Sequence, residues 1–216
     1  MARWDPDARG RLEKAAMELF RERGYDRTTV EDVARRAGLT ERTFFRYFAD
    51  KREVLFSGAK ELEQLIVDGV ANAPAEARPL AAVVSAIERA CTHLEERRDI
   101  EFARARYDLI VKHAEVQERE LIKLAALSSA ITGALRARGV DEPAASLAAQ
   151  MGMGIFKVAF ERWIAEKKPQ GLAAHVRPTL AALRAVSAER EGAKPEGAEP
   201  KKTPAARGRK PTSGRS

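Results

Sequence analysis

Two short helical signals, over residues 29–36 and 40–47, are separated only by Ala37, Gly38 and Leu39. A turn this short forces the helices to cross steeply, which is helix-turn-helix geometry. In that geometry the second helix enters the DNA major groove and the first crosses the phosphate backbone. Val30, Val33 and Ala34 give the first helix its apolar face. Thr28 and Glu31 form the favoured capping box at its start, with Thr29 and Asp32 a weaker pair. Thr40 is a good N-cap for the second helix, and Leu39 and Phe44 fit a hydrophobic staple.

The second helix suits a place on DNA. Phe44 and Phe48 are four apart and face the core, while the other side carries Arg42, Thr43, Phe45, Arg46 and Tyr47. An ordinary surface helix rarely exposes two such aromatics. A Tyr47 hydroxyl can donate to phosphate oxygen. Arg42 and Arg46 project together, and arginine can bond guanine bidentately. Lys51 stands in the first turn of the next predicted helix, where backbone N–H groups also favour an anion. With Thr28 and Thr40 at the helix entries, the expected DNA-binding set is Thr28, Thr40, Arg42, Thr43, Phe45, Arg46, Tyr47 and Lys51. Residues 35–52 hold six basic side chains against two acidic ones, so the positive excess is local.

The remaining sequence reads as helix throughout. One helix covers residues 7–23, closed by Gly24. Asp50 and Glu53 form a capping box for a helix over 51–71. Others follow at 80–97, 101–113 and 116–138, the last closed by Gly139. Asp141 and Pro143 open another, to 167. A final helix over 172–190 contains Pro178, which implies a kink or a later start. Nothing alternates at the strand period. The expectation is an all-α fold of about nine helices. It divides into a helix-turn-helix domain over 1–54, an effector-binding and dimerisation domain over 55–190, and a disordered basic tail over 191–216.

The net charge of +7 is compatible with a polyanionic partner. The single cysteine, Cys91, rules out a disulfide within one chain and fits a reducing cytoplasm. Charged residues interrupt any early apolar run, and no uncharged stretch is long enough to span a bilayer. A cytoplasmic protein without membrane contact is expected. Cys91 and His93 are two apart and share no helical face, so they do not suggest a metal pair. Cys91 lies in an apolar stripe with Val83, Ile87 and Leu94, as a buried thiol would. No nucleophile–base arrangement or phosphate loop is present, so neither an enzyme nor a resident cofactor is expected.

The run TTVEDVARRAGLTERTFFRYFADKREVLF resembles the signature of the TetR family of bacterial repressors. The matching features include Phe20, Gly24, Thr28-Thr29-Val30, Ala34, Ala37-Gly38, Thr43-Phe44-Phe45, Tyr47-Phe48 and Lys51. Phe45 stands where the family usually has tyrosine, which removes one hydroxyl contact to phosphate. Arg42 and Arg46 occupy variable positions, so the operator cannot be copied from a relative. The resemblance implies a homodimer on a pseudo-palindromic double-stranded operator, released when a small apolar effector binds among the middle helices. It also implies a dimer seam from the last two helices. Leu147, Met151, Ile155, Val158, Leu172, Val176, Leu180 and Leu183 are the candidates for that seam. Phe102, Tyr107, Ile110 and His113 are the candidates for the effector pocket, Tyr and His supplying polar handles. The alternatives are a nucleoid-like architectural DNA binder using the basic tail, and a ligand carrier that kept the fold without DNA function. In the tail, Arg207-Gly208-Arg209 is similar to a minor-groove hook, although a solvated basic tail is the favoured reading.

Overall fold

Caps and left-handed glycines divide the N-terminal third of the chain into short helices. The structure is a computed structural model that describes residues 7–97, 99–167 and 170–188. Helix α1 (Ala8–Arg23) ends at Gly24, with φ +86°, and α2 (Val30–Arg36) is followed by Gly38, with φ +67°. Side chains other than glycine pay a steric penalty at such angles. Helix α3 (Glu41–Tyr47) starts on the Thr40 hydroxyl, which accepts from the Thr43 amide at 3.2 Å.

The entry to α2 corrects the sequence reading. Thr29, not Thr28, is the cap: its hydroxyl accepts from the Asp32 amide at 3.1 Å, and Asp32 accepts from the Thr29 amide at 3.2 Å. Hydrogen bonds from Thr29 hold the Asp32 carboxyl below its usual range. Thr28 is buried instead, and its hydroxyl donates to the Gly24 carbonyl at 2.8 Å. The hydroxyl that would cap α2 is thus spent on the end of α1.

A second correction follows α3. Asp50 accepts from the Arg52 and Glu53 amides at 2.8 and 3.2 Å, but it opens only a 3₁₀ turn, Glu53–Phe56. Helix α4 (Ala59–Ala71) begins afterwards, so the helix expected over 51–71 is interrupted. Val54, Leu55 and Phe56 are all buried. Ser57 and Gly58, both weak helix formers, stand at the junction where the chain passes from one core to the next.

Helices α5 (Pro79–Arg97), α6 (Ile100–Lys112), α7 (Ala114–Ala137), α8 (Glu142–Ala165) and α9 (Ala173–Ala188) complete the chain. Helix α9 starts before Pro178 rather than after it. The described residues are all-α, and no helix among them is long and apolar enough to cross a membrane. The tail at 191–216, with Arg207-Gly208-Arg209, lies outside the described residues.

Two apolar cores result. One gathers Ile66, Val83, Ile87, Cys91, Ile131, Leu135 and Trp163 from α4, α5, α7 and α8, with Leu172 and Val176 from the α9 end. Burial pushes the Cys91 thiol up to about 12, which makes it unreactive at neutral pH. The other core joins Leu12, Phe20, Tyr25, Val33, Phe44 and Phe48 to the 3₁₀ turn. It also takes Ile110 from α6 and Val116 from α7, so the N-terminal head is closed by residues far along the chain. Tyr25 ties the same junction, donating its hydroxyl to Glu115 at 3.0 Å and packing on His113 with ring centroids 4.6 Å apart. Lys51 lies 4.2 Å from the Tyr25 ring centroid and donates to the Tyr25 and Thr28 carbonyls at 2.9 and 3.3 Å.

Two stability predictions follow from this packing. Gly152 of α8 is buried against α5, where an added Cβ would overlap the Val83 side chain. Gly152→Ala should therefore lower the unfolding free energy by about 1–3 kcal/mol, despite alanine's better helix propensity. Lys51→Met should cost about 1–2 kcal/mol by removing the donor from two loop carbonyls. Urea unfolding checks both, and an unchanged midpoint would refute the assigned contact.

Candidate nucleic-acid interface

Helix α3 is only seven residues long, and burial of Phe44 and Phe48 anchors it. The opposite side stands free: Phe45 is 54% exposed, and Arg42 and Arg46 are exposed beside it. Thr43 and Tyr47 sit half-buried at the edges of this face. The Arg46 guanidinium lies 5.0 Å from the Tyr47 ring centroid and 3.3 Å from its hydroxyl. Stacking on a ring restricts the guanidinium and supports its charge. An arginine held this way loses less freedom when it engages a base or phosphate.

Neighbouring carboxylates narrow the positive face further. Arg36 makes a bidentate pair with Glu22 of α1, at 2.7 and 2.9 Å, and reaches Glu18 at 3.4 Å. That pairing lowers the Glu22 carboxyl below its usual range. Arg35 meets Glu31 and Asp32 at 3.2 and 3.3 Å. Arg52 holds Asp50 at 2.7 Å; burial pushes the Asp50 carboxyl up, and hydrogen bonds from Arg52 and the backbone outweigh it, leaving it lowered. Among the described residues, Arg42 and Arg46 are the basic side chains of 35–52 with neither a carboxylate partner nor a carbonyl engagement. Of the expected contact set, Thr28 donates to the Gly24 carbonyl and Lys51 to the Tyr25 and Thr28 carbonyls, so both hold the head together. Thr40 caps α3, and its hydroxyl lies 3.0 Å from that of Thr43.

A cavity of about 490 Å³ lies in the helical bundle, lined by residues of α4 to α8, the 3₁₀ turn and Leu172. Of the four side chains expected there, Phe102 is in its wall. Tyr107 is outside it, 3.5 Å from Glu161 and packed on Phe160, which does line it. Ile110 belongs to the head core, and His113 packs on Tyr25 with Nδ1 3.6 Å from Asp26. The reason is that α6 lies between the two cores: Phe102, Ala105, Leu109 and Ile110 pack on the head, whereas Ile100 and Ala103 pack on the bundle. Sequence reasoning missed Arg106, Arg119, Lys123 and Trp163 in the wall. Phe156 and Phe160, four apart on α8, were a legible signal for a wall on that helix.

The seam candidates separate into two groups. Leu147 and Val158 are 62% and 44% exposed, with Met151 half-buried between them. Together with exposed Gly154 they form one stripe along α8. Ile155, Leu172 and Val176 face inward and are consumed by the protein's own core. Leu180 and Leu183 are half-buried against that core. The outer face of α9 carries Pro178, Ala181, Ala185 and Val186 instead.

Residues 12–57 match the profile described as bacterial regulatory proteins, tetR family. Residues 77–188, more than half of the chain, match the MftR C-terminal domain. The HTH-type transcriptional regulator TcmR of Streptomyces glaucescens is 37% identical over 78 residues, which is 36% of this chain and 34% of TcmR. The match thus spans about a third of that relative's length. Among solved structures, Thermus thermophilus FadR is 23% identical with a TM-score of 0.50, over 93% of this chain and all of that one. SmeT of Stenotrophomonas maltophilia is 20% identical with a TM-score of 0.54, over 82% of this chain and 89% of SmeT. At these identities the two structures establish a shared fold. The head matches the family's signature domain, and most of the bundle matches a C-terminal domain that accompanies it. The chain belongs to the TetR family of bacterial regulatory proteins.

Proposed function

We propose that the protein is a cytoplasmic transcriptional repressor, not an enzyme. It binds a pseudo-palindromic operator as a homodimer and leaves it when a small apolar effector fills the bundle cavity. The observation that carries this reading is the outer face of α3. Two arginines with no carboxylate partner among the described residues stand beside an exposed phenylalanine, on a helix anchored from behind by buried Phe44 and Phe48. Arg42 and Arg46 are assigned to base edges or phosphates, Phe45 to sugar edges, and Tyr47 and Thr43 to phosphate oxygens. The α8 stripe of Leu147, Met151, Gly154 and Val158, with the small outer residues of α9, is assigned to the dimer seam. Small residues let helices approach closely, and the flanking apolar side chains gain by leaving water. Neighbours of the same fold support an effector with an apolar part: FadR was solved with lauroyl-CoA, whose acyl chain is apolar, and SmeT with triclosan.

Fluorescence anisotropy on duplexes selected from the protein's own upstream region, and on scrambled DNA, tests the operator reading. At near-physiological salt the two affinities should differ by roughly three orders of magnitude or more. Arg46→Ala should cost about 1–3 kcal/mol on the selected duplex and much less on the scrambled one. Equal, steeply salt-dependent binding to both would favour the architectural alternative. For the seam, Leu147→Glu with Val158→Glu should shift the protein to monomers in analytical ultracentrifugation and abolish two-half-site binding. A double variant that stays dimeric would place the seam elsewhere.

A further inference from the structure

At one end of the cavity, Arg106, Arg119 and Lys123 join Leu55 and Phe56 in the wall. Arg106 has its own carboxylate, Glu120 at 2.8 Å, and donates to the Leu55 carbonyl at 2.7 Å. Arg119 and Lys123 do not divide this way. Among the described residues they share the single carboxylate of Glu53, at 2.5 and 3.1 Å. Glu53 is not itself in the cavity wall; it reaches the two cations from the start of the 3₁₀ turn. Its side chain is 18% exposed and that of Lys123 is 25% exposed, while Arg119 is 39% exposed, so the Glu53–Lys123 side of the cluster is partly withdrawn from water, where charges act more strongly. Elsewhere in the wall, the Glu95 carboxylate accepts from the Ala173 amide at 2.9 Å, and Lys60 and Glu63 add one charge of each sign.

We propose that Arg119 and Lys123 form an anion-recognition end for the effector, and that Glu53 is the internal anion holding it while the cavity is empty. The effector class is then an amphiphile: an apolar chain against Phe102, Phe156, Phe160 and Trp163, ending in an acidic group that takes the two cations from Glu53. This inference rests on the reading of the cavity as the effector pocket and adds the ligand's charge and the route out of it. The route is short. Glu53 begins the turn whose Val54, Leu55 and Phe56 sit in the head core, and that turn follows Asp50 and Phe48 directly after the recognition helix. Losing the Glu53 clamp frees the turn from α7, and with it the support under α3.

The test uses the full-length chain carrying Trp4→Phe, which leaves Trp163 in the cavity wall as the sole tryptophan. Dodecanoate and 1-dodecanol share a chain length and differ in charge, and each is titrated below its micellar concentration while Trp163 fluorescence is followed. Dodecanoate should bind more tightly than dodecanol, by roughly threefold or more. Glu53→Gln should tighten dodecanoate further by removing its competitor. Arg119→Met with Lys123→Met should erase the preference and leave dodecanol unchanged, and this pair serves if Glu53→Gln fails to fold. Hydrogen–deuterium exchange over residues 53–56 should rise with dodecanoate and not with dodecanol. Equal binding of both ligands, or indifference to the Glu53 and Arg119/Lys123 variants, would overturn the anion site while leaving the pocket reading intact. If neither ligand perturbs Trp163, both the site and the pocket reading for such chains fail together.

Discussion

Ile110 and Val116 close the head core from outside the head. Helices of seven residues, such as α2 and α3, are marginal alone because so few hydrogen bonds repay the cost of nucleation. Their stability comes from burying Val33, Phe44 and Phe48 in a core that is complete only when the α6–α7 corner supplies its last two side chains. Tyr25 strengthens the same corner through Glu115, and Lys51 fastens the loop after α1 to the segment that follows α3. The orientation of the recognition helix is therefore not a property of the head alone. Any change in how α6 and α7 sit must be felt there, which is the physical basis of the proposed coupling between the bundle cavity and the outer face of α3.

Charge follows a similar logic. The positive excess over residues 35–52 is broad in the sequence and narrow in space, because Arg36 is cancelled by Glu18 and Glu22 of α1, Arg35 by α2 itself and Arg52 by Asp50. Exposed pairs like these contribute little stability. Their effect here is to leave Arg42 and Arg46 as a focused pair on α3. A tight pair aimed at one groove favours readout, whereas a diffuse basic surface favours non-specific attraction. In the bundle the arrangement is reversed: one carboxylate, Glu53, serves two cations, leaving a local surplus beside an apolar wall.

Much of this was legible from residues alone. The turn at 37–39, the Thr40 cap and the paired phenylalanines of α3 are local features, set by neighbours within a few positions, and such features survive into the fold unchanged. The differences arose where a side chain had a competing use. Thr28 was a good cap by spacing but serves the Gly24 carbonyl four residues back, and Lys51, expected at a phosphate, also holds the Tyr25 loop. The effector candidates on α6 failed for a geometric reason. Phe102 and Ile110 both pack on the head core, and of the two only Phe102 also reaches the cavity, because α6 turns one face to the head and another, with Ile100 and Ala103, to the bundle.

The seam on α8 shows the same limit from the other side. Spacing identifies two apolar stripes on that helix, but it does not say which is turned toward α5. Leu147, Met151 and Val158 stay outside because the opposite stripe is the one buried: Gly152 fits closely against Val83 and Ile87 of α5, and Ile155 and Ala159 lie in the same core. The sequence by itself thus determined the helical class, the helix-turn-helix and the family signature, all of which depend on periodicity, caps and short spacings. Tertiary structure alone decided which charges remain unpaired, which residues enclose the cavity and which apolar stripe faces outward. Those outcomes depend on partners far along the chain, and local patterning carries no information about who they are.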